Sequence, residues 1–176
     1  MEHLEKAKII RLKTQSGKYL IAGNDEKSIR QSRDGSAVNA LWSVEFLAGQ
    51  HYLRLKSCYG KYLTASNVPL LPKVSRSRKV LQTLPSKLNS STEWEAEQDG
   101  SFYQVRLKTR YGHFLRPFGG IPPWRNTITH ANPHRKKSSL WEIEIMETQM
   151  VNQKRQPASN FPQITKAFSC SFTEPI

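Results

Sequence analysis

Two short stretches concentrate positive charge: "KVSRSRK" at 73–79 and "HRKK" at 134–137. Lys73, Arg76, Arg78 and Lys79 in the first, and Arg135, Lys136 and Lys137 in the second, stand outside the repeated motifs of the chain. Folding alone therefore gives no reason for so many cations, although a merely solvated loop would also carry them. Gathered in this way they attract polyanions: an acidic protein surface, nucleic acid, a lipid headgroup or an anionic glycan. A third candidate is "GGIPPWRN" at 119–126, where Trp124 stands beside Arg125 in a proline-rich loop. An indole beside a guanidinium offers a ring to stack on and a charge to steer with. The plainer role for Trp124 is a hydrophobic plug over one end of the fold. These side chains are the candidate partner-binding residues.

Chemistry of the bond-making kind is not indicated. His130 and His134 have a metal-like spacing, yet the intervening "ANP" is a turn sequence and no cysteine or carboxylate completes a set. Neither a metal nor another cofactor is expected. No nucleophile elbow, phosphate-binding glycine loop or paired-carboxylate motif occurs, so a non-enzymatic protein is expected, with no catalytic residues to name. Cys58 and Cys170 are the only cysteines, too few for a disulfide framework, which points to a reducing compartment. The opening "MEHLEKAK" is charged from its second residue, so no secretory leader is expected. No apolar run approaches the ~20 residues of a membrane span.

The net charge is +13 over 176 residues. Residues 51–92 hold eight Lys/Arg and no Asp/Glu, and residues 100–141 repeat that balance. Between them, 93–99 holds four acids and no base.

The elements that must position the candidates are written three times. The openings are "IIRLKTQSGKYLIAG" (9–23), "YLRLKSCYGKYLTAS" (52–66) and "QVRLKTRYGHFLRPF" (104–118), and each leads to a Trp segment, "LWSVEF" (41–46), "EWEAEQ" (93–98) or "LWEIEI" (140–145). Such repeats decide the fold before any other signal. Within each unit the period is two. Ile10/Leu12, Leu53/Leu55 and Val105/Leu107 face one way, and Arg11/Lys13, Arg54/Lys56 and Arg106/Lys108 face the other. Trp42, Trp94 and Trp141 begin alternating strands and belong to the core. Gly17, Gly60 and Gly112 fall where a hairpin needs positive φ. They are followed by a core-facing Tyr/Leu strand, then by a weaker strand around Ile29, Val80 or Ile128. The prolines fall between strands. Four strands in each of three units give an all-β, closed architecture with pseudo-threefold symmetry, a β-trefoil, over residues 1–147. Residues 148–176 are polar, unpatterned and proline-containing, the composition of a disordered tail. The Arg-x-Lys pairs either cover the outer barrel face with their stems or form a threefold ring that meets an anion.

The "RLK…GKYL…A" opening and the Trp-Glu closing strand, from Leu4 to about Met146, resemble the fascin-like β-trefoils, and most closely a plant domain family of unknown function associated with actin cross-linking. The resemblance implies a cytoplasmic, non-enzymatic module related to fascin and hisactophilin, with the actin filament as partner; a nuclear location is the alternative. Hisactophilin-like relatives sense pH through many loop histidines, whereas this chain has only His3, His51, His113, His130 and His134. Cross-linking needs two filament sites, and one trefoil read as a monomer supplies one, so that activity is not carried over. A polyanion-binding module is the alternative. Ricin-type lectins carry Gln two residues before the repeated Trp; Ala40, Thr92 and Ser139 stand there instead.

Overall fold

The computed structural model describes residues 2–71, 76–120, 122–132 and 136–148. Lys73, Arg135, the side chains of Lys136 and Lys137, and the proposed tail beyond Thr148 lie outside the described residues.

Each repeat builds four strands. The first supplies β1 (Ala7–Thr14), β2 (Tyr19–Ala22), β3 (Ile29–Ser32) and β4 (Trp42–Phe46). The second supplies β5 (Tyr52–Lys56), β6 (Tyr62–Pro69), β7 (Arg78–Thr83) and β8 (Trp94–Gln98). The third supplies β9 (Gln104–Lys108), β10 (Phe114–Pro117), β11 (Ile128–Ala131) and β12 (Trp141–Thr148). The first and fourth strands of the repeats close an antiparallel ring in the order β1, β4, β5, β8, β9, β12 and back to β1. Closure leaves no free edge. The remaining strands pair as three hairpins, β2–β3, β6–β7 and β10–β11. β11 pairs with β7, and the bridges Ser28–Leu81 and Arg30–Thr127 join the hairpins into a cap. The expected β-trefoil is the observed fold.

Its core repeats as the sequence does. Trp42, Trp94 and Trp141 are wholly buried, and each indole Nε1 donates to the carbonyl of Leu20, Leu63 or Leu115, at 3.1, 2.9 and 3.0 Å respectively. Each tryptophan thus ties a barrel strand to the hairpin of its own repeat. Gly17, Gly60 and Gly112 have φ of 77°, 73° and 78°, and their amides donate to the carbonyls of Thr14, Ser57 and Thr109, all at 2.9 Å. A side chain at these φ values would be strained, so glycine is the residue that makes the turn.

Three details differ from expectation. Pro69 and Pro117 end strands rather than lying between them, places where a missing N–H is tolerated. A single helical turn, Glu2–Glu5, carries Leu4 into the core, a segment too short for periodicity to reveal. Tyr19 is only half-buried and sits under cations rather than inside the core. Among the described residues no helix is long and apolar enough to cross a membrane.

Candidate functional site

The cations divide into two sets. Those of the barrel are neutralised by acids in or beside the Trp strands. Glu144 holds Arg11 at 3.0 Å and Lys13 at 3.7 Å and accepts from the Tyr19 hydroxyl at 3.0 Å. Glu45 holds Lys56 at 3.8 Å and accepts from the Tyr62 hydroxyl at 2.9 Å. Lys108 is held by Glu95 at 2.9 Å and by Glu97, and Arg106 by Asp99 at 3.0 Å. The Glu97 and Glu95 carboxylates keep the Lys108 ammonium above its ordinary range. Lys56 lies 5.5 Å from the Tyr62 ring centre and Arg106 lies 5.9 Å from that of Phe114. Of the two readings of the Arg-x-Lys pairs, the structure supports the covering face: the anions they meet belong to the protein itself.

The second set has no such partners. Among the described residues, Arg76, Arg78, Lys79, Arg116 and Arg125 meet no carboxylate. Neighbours in sequence do not decide this, since Arg54, Lys56, Arg106 and Lys108 stand in the same acid-free runs and find acids carried by other strands. The cap brings two of the candidates together: Lys79 and Trp124 line one cleft of about 420 Å³ with Arg30, Asn126, Leu70 and Leu81. Trp124 is half-buried there, neither a sealed plug nor a free ring, and Arg125 and Arg76 are exposed. No cation–π contact joins Trp124 to Arg125; the described contacts of that kind lie elsewhere, such as Arg110 over Tyr52 at 4.2 Å.

Arg78 goes elsewhere. It faces a second cleft, of about 580 Å³, between the second and third repeats, with Asn67, Tyr111, His113 and His130. Here the two histidine rings meet, Nδ1 to Nδ1 at 3.1 Å, and His130 Nε2 lies 2.8 Å from the Ser66 carbonyl. A carbonyl only accepts, so Nε2 carries the proton and Nδ1 of His130 accepts from His113. Of the pair suggested by spacing, His130 and His134, the second lies outside the described residues. Among those residues no group of three or more His, Cys, Asp or Glu converges. The true pair was hidden in the linear sequence. Its signal was a double departure from the repeats, Lys18 and Lys61 giving way to His113, and Gln31 and Gln82 to His130.

Burial pushes His130 down to about 4, opposed by its bond to Ser66 and reinforced by His113 and Arg78. His113 is lowered by burial and by Arg78. The unfolded chain takes up these protons near the ordinary value of 6.5, so the neutral pair contributes stability that is complete above that pH and is lost as pH falls toward 4. Urea unfolding should show a lower midpoint at pH 4.5 than at pH 7. His130→Gln, which installs the residue of the other two repeats, should shrink that difference; an equal loss in the variant would exclude His130 as its source.

The family model of a β-trefoil domain of unknown function (DUF569) matches residues 1–144. No curated protein matches the sequence. Among solved structures, the designed threefold-symmetric protein ThreeFoil is 20% identical with a TM-score of 0.62, over 77% of this chain and 96% of that one. The cytolethal distending toxin of Haemophilus ducreyi is 15% identical, with a TM-score of 0.61 over 86% of this chain and 92% of that one. SeviL, solved with the asialo-GM1 saccharide, is 13% identical, with a TM-score of 0.61 over 80% of this chain and 99% of that one. At these identities the likeness is one of fold.

Proposed function

The chain belongs to the DUF569 family of β-trefoil domains, and from that premise we propose that it is a non-enzymatic binding module that engages an acidic macromolecular surface through the cations of its hairpin cap. The observation that carries this reading is the division of charge: barrel cations are consumed by internal acids, whereas Arg76, Lys79 and Arg125 are left without one. Trp124 in the same cleft as Lys79 adds a ring that excludes water from such a contact. The fascin-like resemblance nominates the actin filament as the acidic surface, reached by a monomer in the cytoplasm. Free polyanions are the second reading, favoured by the acid-free runs at 51–92 and 100–141.

Co-sedimentation with actin filaments, beside binding to heparin and duplex DNA, separates the two at low and physiological salt. Arg76→Gln/Lys79→Gln/Arg125→Gln removes three cations, two of them exposed and Lys79 half-buried, each worth roughly 0.5 kcal/mol, about a tenfold loss of affinity. With a filament the salt dependence should be shallow and Trp124→Ala should weaken binding as much as the charge changes. With DNA the logarithm of affinity should fall linearly with that of salt, by roughly 0.9 per phosphate neutralised. Undiminished binding by the triple variant to every partner would refute the cap.

A further inference from the structure

The three junctions between repeats occupy equivalent places, and two of them are latched. Between the first and second repeats, the Tyr59 hydroxyl donates to Asn24 Oδ1 at 3.1 Å and Lys61 Nζ reaches the Glu26 carboxylate at 3.0 Å. Between the third and first, the tyrosine is replaced by Ser16, which bonds locally to Thr14 at 3.0 Å, and Lys18 donates to Asn126 at 3.0 Å. The junction between the second and third repeats keeps the tyrosine but loses the tyrosine and lysine contacts, and is held beneath by His130 Nε2 on the Ser66 carbonyl at 2.8 Å. Tyr111 is 79% exposed, with no hydrogen-bond partner among the described residues. Asn67, in the place of Asn24, accepts from Arg78 Nη1 at 2.7 Å instead. His113 replaces the lysine, and no carboxylate lines the opening.

We propose that this open junction is a binding site for an acidic saccharide unit, a pyranose ring bearing a carboxylate or sulfate. Its volume of about 580 Å³ lies within the roughly 300–1,000 Å³ of small-ligand sites. The free Tyr111 ring gives the apolar face of a sugar a surface to lie on, while its hydroxyl stays in water. Arg78 spends one nitrogen on Asn67, and the remaining guanidinium N–H groups suit a planar or tetrahedral oxyanion, with no acid among the lining residues to displace. Asn89, Ser90 and His113 line the same walls, residue types whose donors and acceptors match those of sugar hydroxyls. This site is separate from the cap cleft, with which it shares none of its lining residues.

Calorimetric titration of the full chain at pH 7 with a heparin-derived tetrasaccharide, a tetragalacturonate and a neutral tetrasaccharide tests it. Binding of one or both acidic probes, without the neutral one, is expected, and the stronger of the two identifies sulfate or carboxylate as the group read. Tyr111→Ser, the residue of the first repeat, and Arg78→Gln should each weaken that binding roughly tenfold to a hundredfold, while Arg78→Lys retains part of it. Lys8→Gln, on the barrel, should leave it unchanged, whereas a loss caused by Trp124→Ala and not by Tyr111→Ser would place the probe on the cap and overturn the junction. Both junction positions are at least partly exposed, and unchanged melting temperatures confirm folding. Silence of both acidic probes, equal binding of the neutral one, or full binding by folded Tyr111→Ser and Arg78→Gln variants would overturn the proposal.

Discussion

Trp94→Ala will lower the stability of the domain by about 3–5 kcal/mol, a large share of the roughly 5–15 kcal/mol that a domain possesses. Two losses act together. The indole is fully buried, so its removal leaves a cavity in a closed ring whose strands cannot collapse inward. Its Nε1 also satisfies the Leu63 carbonyl at 2.9 Å, which would be left buried without that donor. Trp94→Phe keeps most of the bulk and should lose less. Trp124→Ala, at a half-buried position outside the core cluster, should lose under about 1 kcal/mol by comparison with typical surface changes. Chemical denaturation measures all three; a Trp94→Ala loss no larger than that of Trp124→Ala would contradict the equivalence of the repeated tryptophans.

Glu93→Gln comes next in size. The Glu93 carboxylate is buried, accepting from Arg54 Nη2 at 2.7 Å and from Arg110 Nε at 2.7 Å. Glutamine preserves the shape and removes the charge, leaving two guanidiniums facing each other. Breaking a buried pair costs about 3–5 kcal/mol, and a value near 3 is expected because Arg110 is partly open to water. Glu45→Gln changes a carboxylate that is itself 41% exposed and should stay under about 1 kcal/mol. Equal effects of the two substitutions, measured by denaturation at low and high salt, would show that Glu93 is not the buried junction described.

The parts of this protein that were legible in its sequence are those set by local period. Alternation placed Leu12, Leu55 and Leu107 inward, and a turn requiring positive φ explained Gly17, Gly60 and Gly112. The pairing of charges was not legible, because each partner comes from another strand of the ring. The acidic run 93–99 reads as a contrast to the basic spans, yet in space Glu93, Glu95, Glu97 and Asp99 neutralise Arg54, Arg106, Lys108 and Arg110. The basic stretch 73–79 also divides in a way no spacing reveals. Strand alternation turns Arg78 toward His130 and Lys79 toward Trp124, into two different clefts. Trp124 was found because it broke the repeat; His130 was noticed only for its spacing to His134, and its pairing with His113 was missed, since both substitutions exchange one polar residue for another.

The claim that joins these findings is that charge is structural on the barrel and free for binding on the cap. Two variants with the same loss of three positive charges test it: Lys8→Gln/Lys13→Gln/Lys56→Gln on the barrel, where each lysine has a glutamate partner, and Arg76→Gln/Lys79→Gln/Arg125→Gln on the cap. The measurement is the salt concentration that elutes each from heparin. The cap variant should elute at clearly lower salt than the unaltered protein, and the barrel variant close to it. Equal shifts for both would mean that only total charge matters, and would contradict the division.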